Sequence, residues 1–398
     1  MKTYQKQHFL YRLLQFIRRE TVLSVSLLLA AVSACFVRPD AAYLSYIDFR
    51  TIGLLFCLMS IVAGLRHIGL FDLLAEKILC RTTRSASLVL LLVLLCFFFS
   101  MLITNDVALI TFVPFTLTIL HKMPRGFRKY WMLRLVVMQT IAANLGSMLT
   151  PIGNPQNLYL YTSSGMPLGA MLKLMLPYTA AALVLLLLWI GLAIRRSPAG
   201  SGSGIPDTRL FSDTATSLED KGRLTAYLLL FSGCLLCVAR LVPFPFMLVL
   251  ILLYLLFRDA AILRKVDYSL LATFAALFVF IGNLGRIPTF SLFLQDLMTG
   301  HEVLTAVAAS QVMSNVPAAI LLSGFTDHYG ALLVGTNIGG LGTLIASMAS
   351  LISFKYISGE NTKLRLPYLG VFTVSNLIFL LGMLGLFFFL TFPLAISA

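Results

Sequence analysis

Two stretches of this chain place amides and hydroxyls inside otherwise oily sequence. SMLITNDVALI begins at Ser100 and SQVMSNVPAAI begins at Ser310. Laid over each other, they match at Ser100/Ser310, Asn105/Asn315, Ala108/Ala318 and Ile110/Ile320, with hydroxyls at Thr104/Ser314. The side-chain oxygens of Thr104, Asn105, Ser314 and Asn315 suit a hard cation, which takes oxygen ligands. The asparagine amides can also donate to an anion. Asp106 adds a carboxyl able to carry a proton, and acids within membrane sequence mark function as a rule. Its structural alternative is a cap on free backbone N–H groups.

A second matched pair reads ANLGSMLTPIGNPQN (143–157) and TNIGGLGTLIASMAS (336–350). Aligned at Asn144 and Asn337, the two share Gly146/Gly339 and Thr150/Thr343. Gly146, Pro151, Gly153 and Pro155 should unwind the first helix, since glycine loosens it and proline removes a backbone donor. Gly335, Gly339, Gly340 and Gly342 should do the same to the second. Unwound backbone is tolerated at membrane depth only when buried in protein or lining a wet cavity. Asn144, Gly146, Thr150, Asn154, Asn337, Gly339 and Thr343 are therefore the candidate ligands at the breaks, beside the freed carbonyls. Sodium is a candidate at Asn105 with Gly146 and at Asn315 with Gly335, and a proton on Asp106 is the other coupling ion open to the chain. Ala143, Ser347, Ala349 and Ser350 read as packing residues. Gln139, Gln156 and Asn157 line the cavity or bridge helices, and the sequence leaves that open.

These residues need elements to hold them. With 59% hydrophobic and 12% charged residues and a mean hydropathy of +0.92, the chain is an all-α polytopic membrane protein. A bilayer requires roughly 20 apolar residues per helix. Nine spans are expected, at 21–37, 50–66, 130–160 (interrupted), 177–194, 224–239, 243–257, 268–285, 330–354 (interrupted) and 367–391. Segments 8–20, 69–79 and 289–299 are expected along the interface.

The motifs themselves lie in 86–120 and 301–325. The apolar arms 303–313 and 317–325 are too short for about 30 Å of hydrocarbon, which predicts a re-entrant hairpin with Ser314-Asn315-Val316-Pro317 at its tip. In the first copy 86–103 could span alone, and charge decides for a hairpin. With both segments as hairpins, 24 of the 30 Lys and Arg fall on one side. Arg38, Arg50, Lys173, Arg240 and Arg286 fall on or near the other. The positive-inside rule then puts the amino terminus in the cytoplasm and the carboxyl terminus in the periplasm. Five crossings separate the two copies, so they should be inverted relative to each other, a transporter architecture. The expected organisation is a first repeat over 1–196 (hairpin 86–120, broken helix 130–160), a polar cytoplasmic linker over 197–222, and a second repeat over 223–398 (hairpin 301–325, broken helix 330–354).

Other chemistries fit poorly. The net charge of +14 is spread between hydrophobic segments, whereas nucleic-acid binding gathers it on one soluble face. Cys234 and Cys237 form a CxxC inside an apolar run with no second pair, which argues against zinc. The VSAC at 32–35 resembles a lipoprotein cleavage site, but a first transmembrane helix satisfies the same pattern. HExxH and GxSxG motifs are absent from the sequence, so an enzyme is not expected, and no nucleotide-binding loop is apparent, so a primary pump within this chain is not expected either.

At its four motifs the chain resembles the ion transporter superfamily of arsenite permeases, NhaD-type sodium/proton antiporters, and citrate or divalent-anion:sodium symporters. ITNDVALITFVPF, AANLGSMLTPIGNPQNL, SQVMSNVPAAILL and VGTNIGGLGTLIASMASLI look most like citrate-transporter-like bacterial inner-membrane permeases of the YbiR type. The resemblance implies a homodimer with scaffold and mobile transport domains and elevator-like alternating access. In the dicarboxylate symporters of the group, Ser-Asn-Thr at both tips holds sodium and a substrate carboxylate. Here the asparagines match at Asn105 and Asn315 and the preceding hydroxyls at Thr104 and Ser314, while the following threonine is replaced by Asp106 in one tip and Val316 in the other. An ionised Asp106 would repel a dianion, since each pair of like unit charges costs about 4 kcal/mol at ~4 Å and an effective dielectric of ~20. The Thr-Asn-Asp tip resembles the arsenite-permease and antiporter relatives more closely.

The expectation is a secondary active transporter of a small ion, an anion such as a carboxylate or inorganic oxyanion, coupled to Na+ or H+ in a bacterial inner membrane with no other cofactor. A sodium/proton antiporter or an arsenite/antimonite efflux permease is the alternative. A membrane-embedded enzyme and a channel are the remaining classes.

Overall fold

Apolar sequence in lipid must satisfy its backbone internally, which leaves helices or closed barrels. In the computed structural model this chain takes the first route. Residues 15, 17, 20–79, 82, 84–197 and 221–396 are described, and among them there is no strand. In chain order the helices are α1 (Thr21–Phe36), α2 (Ala42–Tyr46), α3 (Phe49–His67), α4 (Leu70–Leu79), α5 (Ser85–Ile103), α6 (Asn105–Lys122), α7 (Arg125–Gly146), α8 (Pro155–Ser164), α9 (Leu168–Arg195), α10 (Lys221–Val238), α11 (Phe244–Arg258), α12 (Ala260–Leu263), α13 (Tyr268–Gly285), α14 (Pro288–Met298), α15 (Glu302–Met313), α16 (Asn315–Ser323), α17 (Tyr329–Gly339), α18 (Met348–Glu360) and α19 (Arg365–Ile396). Single 3-10 turns lie at Ser147–Leu149 and Thr362–Leu364.

Among the described residues, seven helical stretches are long and apolar enough to cross a bilayer, and α1, α11 and α15 are shorter apolar helices. The chain is a multi-pass all-helical membrane protein. Every expected span is helical. α9 begins at Leu168 rather than at 177 and runs through Pro177, which membrane helices tolerate because neighbours re-satisfy the freed carbonyl. The short segments after α3 and α13 are helices α4 and α14. Segment 8–20 lies outside the described residues except at 15, 17 and 20, and linker 197–222 except at 197, 221 and 222.

From α3 to α9 and from α13 to α19 the same order of elements recurs: long helix, short helix, hairpin, broken helix, long helix. Both series start identically. Asp48 caps α3 by accepting from the Thr51 N–H at 3.0 Å, and Asp267 caps α13 by accepting from the Leu270 N–H at 3.0 Å. Such caps satisfy orphan donors of the first turn. The leading helices cross over, with α1 packed on α13 and α10 and α11 packed on α3. The halves therefore interlock, although in sequence they are consecutive.

Each hairpin packs along its own broken helix, α5 and α6 on α7, α15 and α16 on α17. Its second arm also reaches the other half, α6 against α18 and α16 against α8. The second broken helix starts beside the base of its own hairpin, where His328 Nδ1 lies 2.6 Å from Glu302 Oε1. Its far end sits at the base of the first hairpin, where His121 Nε2 lies 2.7 Å from Glu360 Oε2. The two bases thus occupy opposite ends of one broken helix, and the tips meet between them.

Candidate functional site

Each hairpin turns at a residue with unusual backbone. Thr104 has φ 74° and ψ 150°, and Ser314 has φ 74° and ψ 155°. Outside glycine this region costs on the order of 1–3 kcal/mol and persists only where surroundings over-determine it. The surroundings are matched too. The Asn105 N–H donates to the Gly153 carbonyl at 3.1 Å, and the Asn315 N–H donates to the Ala346 carbonyl at 3.0 Å. Each tip is therefore pinned to the unwound segment of its own half.

The breaks run from Ser147 to Asn154 and from Gly340 to Ser347. Glycine brings each broken helix against its hairpin: a Cβ on Gly146 would stand 2.1 Å from the Phe97 carbonyl and 2.7 Å from Ser100 Oγ, and one on Gly339 would stand 2.7 Å from Ser310 Oγ. The threonines fasten the same seam. Thr150 Oγ1 donates to the Met101 carbonyl, and Thr343 Oγ1 donates to the Gln311 carbonyl.

Where the breaks cross, asparagines join the halves. Asn105 Nδ2 donates to Asn144 Oδ1 at 3.0 Å, and Ser347 Oγ donates to the same oxygen at 3.0 Å. Asn154 Nδ2 donates to Ser147 Oγ at 2.6 Å and Asn337 Oδ1 at 3.3 Å. Asn337 Nδ2 donates to Asn157 Oδ1 at 2.6 Å. Buried polar groups of this kind are held only where partnered, so the network fixes the geometry at the crossing.

Two cavities adjoin it and share Asp106. The larger, about 190 Å³, is lined mainly by apolar side chains and has Thr104, Asp106 and Asn154 on its inner wall, with the exposed Arg66, Lys265 and Asp267 also lining it. The smaller, about 10 Å³, lies between the tips, with Asn105, Asp106, Gln156, Asn315 and Ser347 around it. That is close to the space of one water. Three atoms here are buried without a partner: Asp106 Oδ1, Asn154 Oδ1 and Gln156 Nε2. Unsatisfied buried polar atoms are rare and ask for a ligand or a bound water.

Of the twelve residues singled out from sequence, Thr104, Asn105, Asp106, Asn154 and Asn315 line the cavities, while Asn144 and Asn337 hold the network behind them. Ser314 is a buried turn residue next to Asn315. Gly146, Gly339 and Thr150 pack the hairpin seam, as does Gly335, and Thr343 is exposed. Ser347 is a correction. Read as packing, it lines the space between the tips and bonds Asn144. Gln156 lines that space, Asn157 bridges the halves, and Gln139 ties its broken helix to the hairpin through the Leu92 carbonyl and Thr116 Oγ1. Gln311 was missed by sequence reasoning; its signal was a polar residue three positions before a hairpin tip.

A helical membrane bundle with discontinuous helices meeting two hairpin tips has the form of a transporter. The chain belongs to the citrate transporter family, whose model matches residues 12–329. It is similar to an uncharacterized transporter of Methanocaldococcus jannaschii, 34% identical over 316 residues that make up 79% of this chain and 82% of that one. It is also similar to the inner membrane protein YbiR of Escherichia coli, 30% identical over 347 residues, covering 83% and 86% of the two chains. A silicon efflux transporter of Oryza sativa is 28% identical over 190 residues, covering 48% of this chain and 38% of its own. This is a membrane transporter.

Proposed function

We propose that the chain moves a small anion, a carboxylate or inorganic oxyanion, across a bacterial inner membrane by secondary active transport. The observation that carries this is the larger cavity, which links exposed Arg66 and Lys265 to half-buried Asp106 and the first hairpin tip. Basic residues at the exposed part of a cavity draw anions inward by focusing the field. Both lie in segments counted on the cytoplasmic side, so this conformation is read as inward-facing, with the amino terminus in the cytoplasm and the carboxyl terminus in the periplasm. Two inverted halves provide alternating access by moving around the shared tips. The family resemblance adds a homodimer as the working unit.

Asp106 is the coupling group in this reading. Neutralised by a proton or by a bound cation, it stops repelling an anion and can donate or accept at the tip. A second reading rests on the two unpartnered acceptors, Asp106 Oδ1 and Asn154 Oδ1. Acceptors suit a substrate that brings O–H donors, such as a protonated oxyacid leaving the cell, and one relative carries the name of a silicon efflux transporter.

The deciding experiment is counterflow in proteoliposomes with citrate, sulfate, arsenite and silicate as test solutes. Saturable counterflow of an anion that Asn105→Ala abolishes supports the first reading. Counterflow of the neutral oxyacids alone selects the second. Near-normal counterflow in both Asn105→Ala and Asn315→Ala overturns the site.

A further inference from the structure

Unwinding a helix frees carbonyl oxygens, and freed carbonyls in transporters can coordinate sodium. In this chain side-chain amides already engage them. Gln311, on α15, donates from Nε2 to the freed carbonyls of Gly339 at 2.9 Å and Leu341 at 3.0 Å, and also to the carbonyl of Val307, one turn back on its own helix, at 3.2 Å. Its Oε1 accepts from the Thr343 N–H at 2.8 Å. The partners fix the orientation of this amide, because reversing it would set Oε1 against three carbonyl oxygens and Nε2 against an N–H. The backbone is shaped around the side chain as well: Gly342 has φ +102°, and a Cβ there would stand 2.3 Å from Gln311 Oε1.

The first break has the same device. Asn157 donates from Nδ2 to the carbonyls of Ser147, Met148 and Thr150 at 3.2, 3.3 and 3.1 Å. Its Oδ1 accepts from Asn337 Nδ2, which fixes its orientation too. By repeat position Gln311 corresponds to Met101 and Asn157 to Ser350. The two amides therefore reach equivalent breaks from unrelated places in the sequence. An NH2 group turned toward three carbonyls presents partial positive charge where a cation would present a full one.

We propose that Gln311 and Asn157 stand in for bound sodium at the two breaks, and that these residues free the chain from a sodium requirement. At the sites expected from sequence the side-chain oxygens already have donors, Asn105 Oδ1 accepting from the Asp106 N–H at 2.8 Å and Asn315 Oδ1 from Ser314 Oγ at 3.4 Å. A Cβ on Gly146 would meet the Phe97 carbonyl at 2.1 Å and one on Gly335 the Val303 carbonyl at 2.7 Å, so both glycines face a hairpin arm. The Asn105 and Asn315 N–H groups meanwhile bond the carbonyls of Gly153 and Ala346. The consequence for coupling rests on the transporter reading; the arrangement of amides does not.

The test is the thermal midpoint of the purified full chain in sodium chloride against choline chloride at equal ionic strength, since a ligand that binds only the folded state raises it. The wild type should show equal midpoints. Gln311→Ala uncovers the Gly339 and Leu341 carbonyls and should gain sodium-specific stabilisation, and Gln311→Glu, with a carboxylate beside them, should gain more. A sodium-specific rise in the wild type overturns the proposal, as does indifference to sodium in both folded variants. If neither variant folds, equilibrium dialysis of wild type with radioactive sodium decides, with saturable binding contradicting the proposal and its absence supporting it. Nothing is transported in these assays, so their failure is distinct from failure of the transporter reading, which counterflow measures.

Discussion

Asn105 Nδ2 donates to Asn144 Oδ1 across 3.0 Å, joining the tip of the first hairpin to the helix that ends beneath it. Ser347, from the other half, donates to the same oxygen at 3.0 Å. One buried acceptor thus holds a hairpin and both broken helices together. Losing a partner from a buried hydrogen bond costs about 1–3 kcal/mol. Asn105→Ala should keep membrane insertion and lower uptake by at least about tenfold, equivalent to ~1.4 kcal/mol. Uptake normalised to protein in the membrane is the measurement.

Asp106 should set the pH dependence. Its Oδ1 is buried and unpartnered, and Asp267, Lys265 and Arg66 are the charged groups sharing its cavity. If a proton on Asp106 accompanies substrate, wild-type uptake rises as pH falls. Asp106→Asn keeps the shape and removes the titration, so its uptake should be flat across the same range. A retained wild-type profile in that variant would assign coupling elsewhere.

The charges at the exposed part of the cavity should act on capture. Arg66→Gln and Lys265→Gln each remove an exposed positive charge, and exposed charges are screened within about 8 Å at physiological salt. Each variant should raise KM with little change in maximal rate. The difference from wild type should shrink in high salt, which initial rates at two ionic strengths would show.

Close packing of hairpin on broken helix gives a stability prediction. Gly146→Ala forces a methyl to within 2.1 Å of the Phe97 carbonyl, and Gly339→Ala forces one onto Ser310. Overpacking of this kind costs typically about 1–3 kcal/mol. Gly126→Ala meets nothing within 4 Å and lies in a helix, where alanine is favoured by about 1 kcal/mol. Thermal midpoints of the three variants should separate accordingly.

Much of this architecture was legible because lipid enforces it. Apolar runs of fixed length, proline and glycine in matched breaks, and amides in oily sequence mark the helices and both tips before any coordinates. A matched position carried the expectation of a ligand role in both copies, and the structure shows a packing bond there. Thr150 and Thr343 do correspond, yet each bonds a hairpin backbone carbonyl, so the likeness reflects shared packing. The role of Gln311 was hidden, beyond its being a polar residue near a tip, because its partners at Gly339, Leu341 and Thr343 adjoin it only once the chain has folded back. Ser347 looked like any small residue between helices, and its meeting with Asn144 depends on a crossing between halves that no local pattern announces.

Labelling of hairpin bases by a membrane-impermeant thiol reagent tests the central claim of opposed halves. Single cysteines at Lys122, after the first hairpin, and at Asp327, after the second, would be placed in a cysteine-free background. The account predicts that in intact cells only Asp327→Cys reacts, and that Lys122→Cys reacts once the membrane is opened. Reaction of both positions from the same side would contradict it.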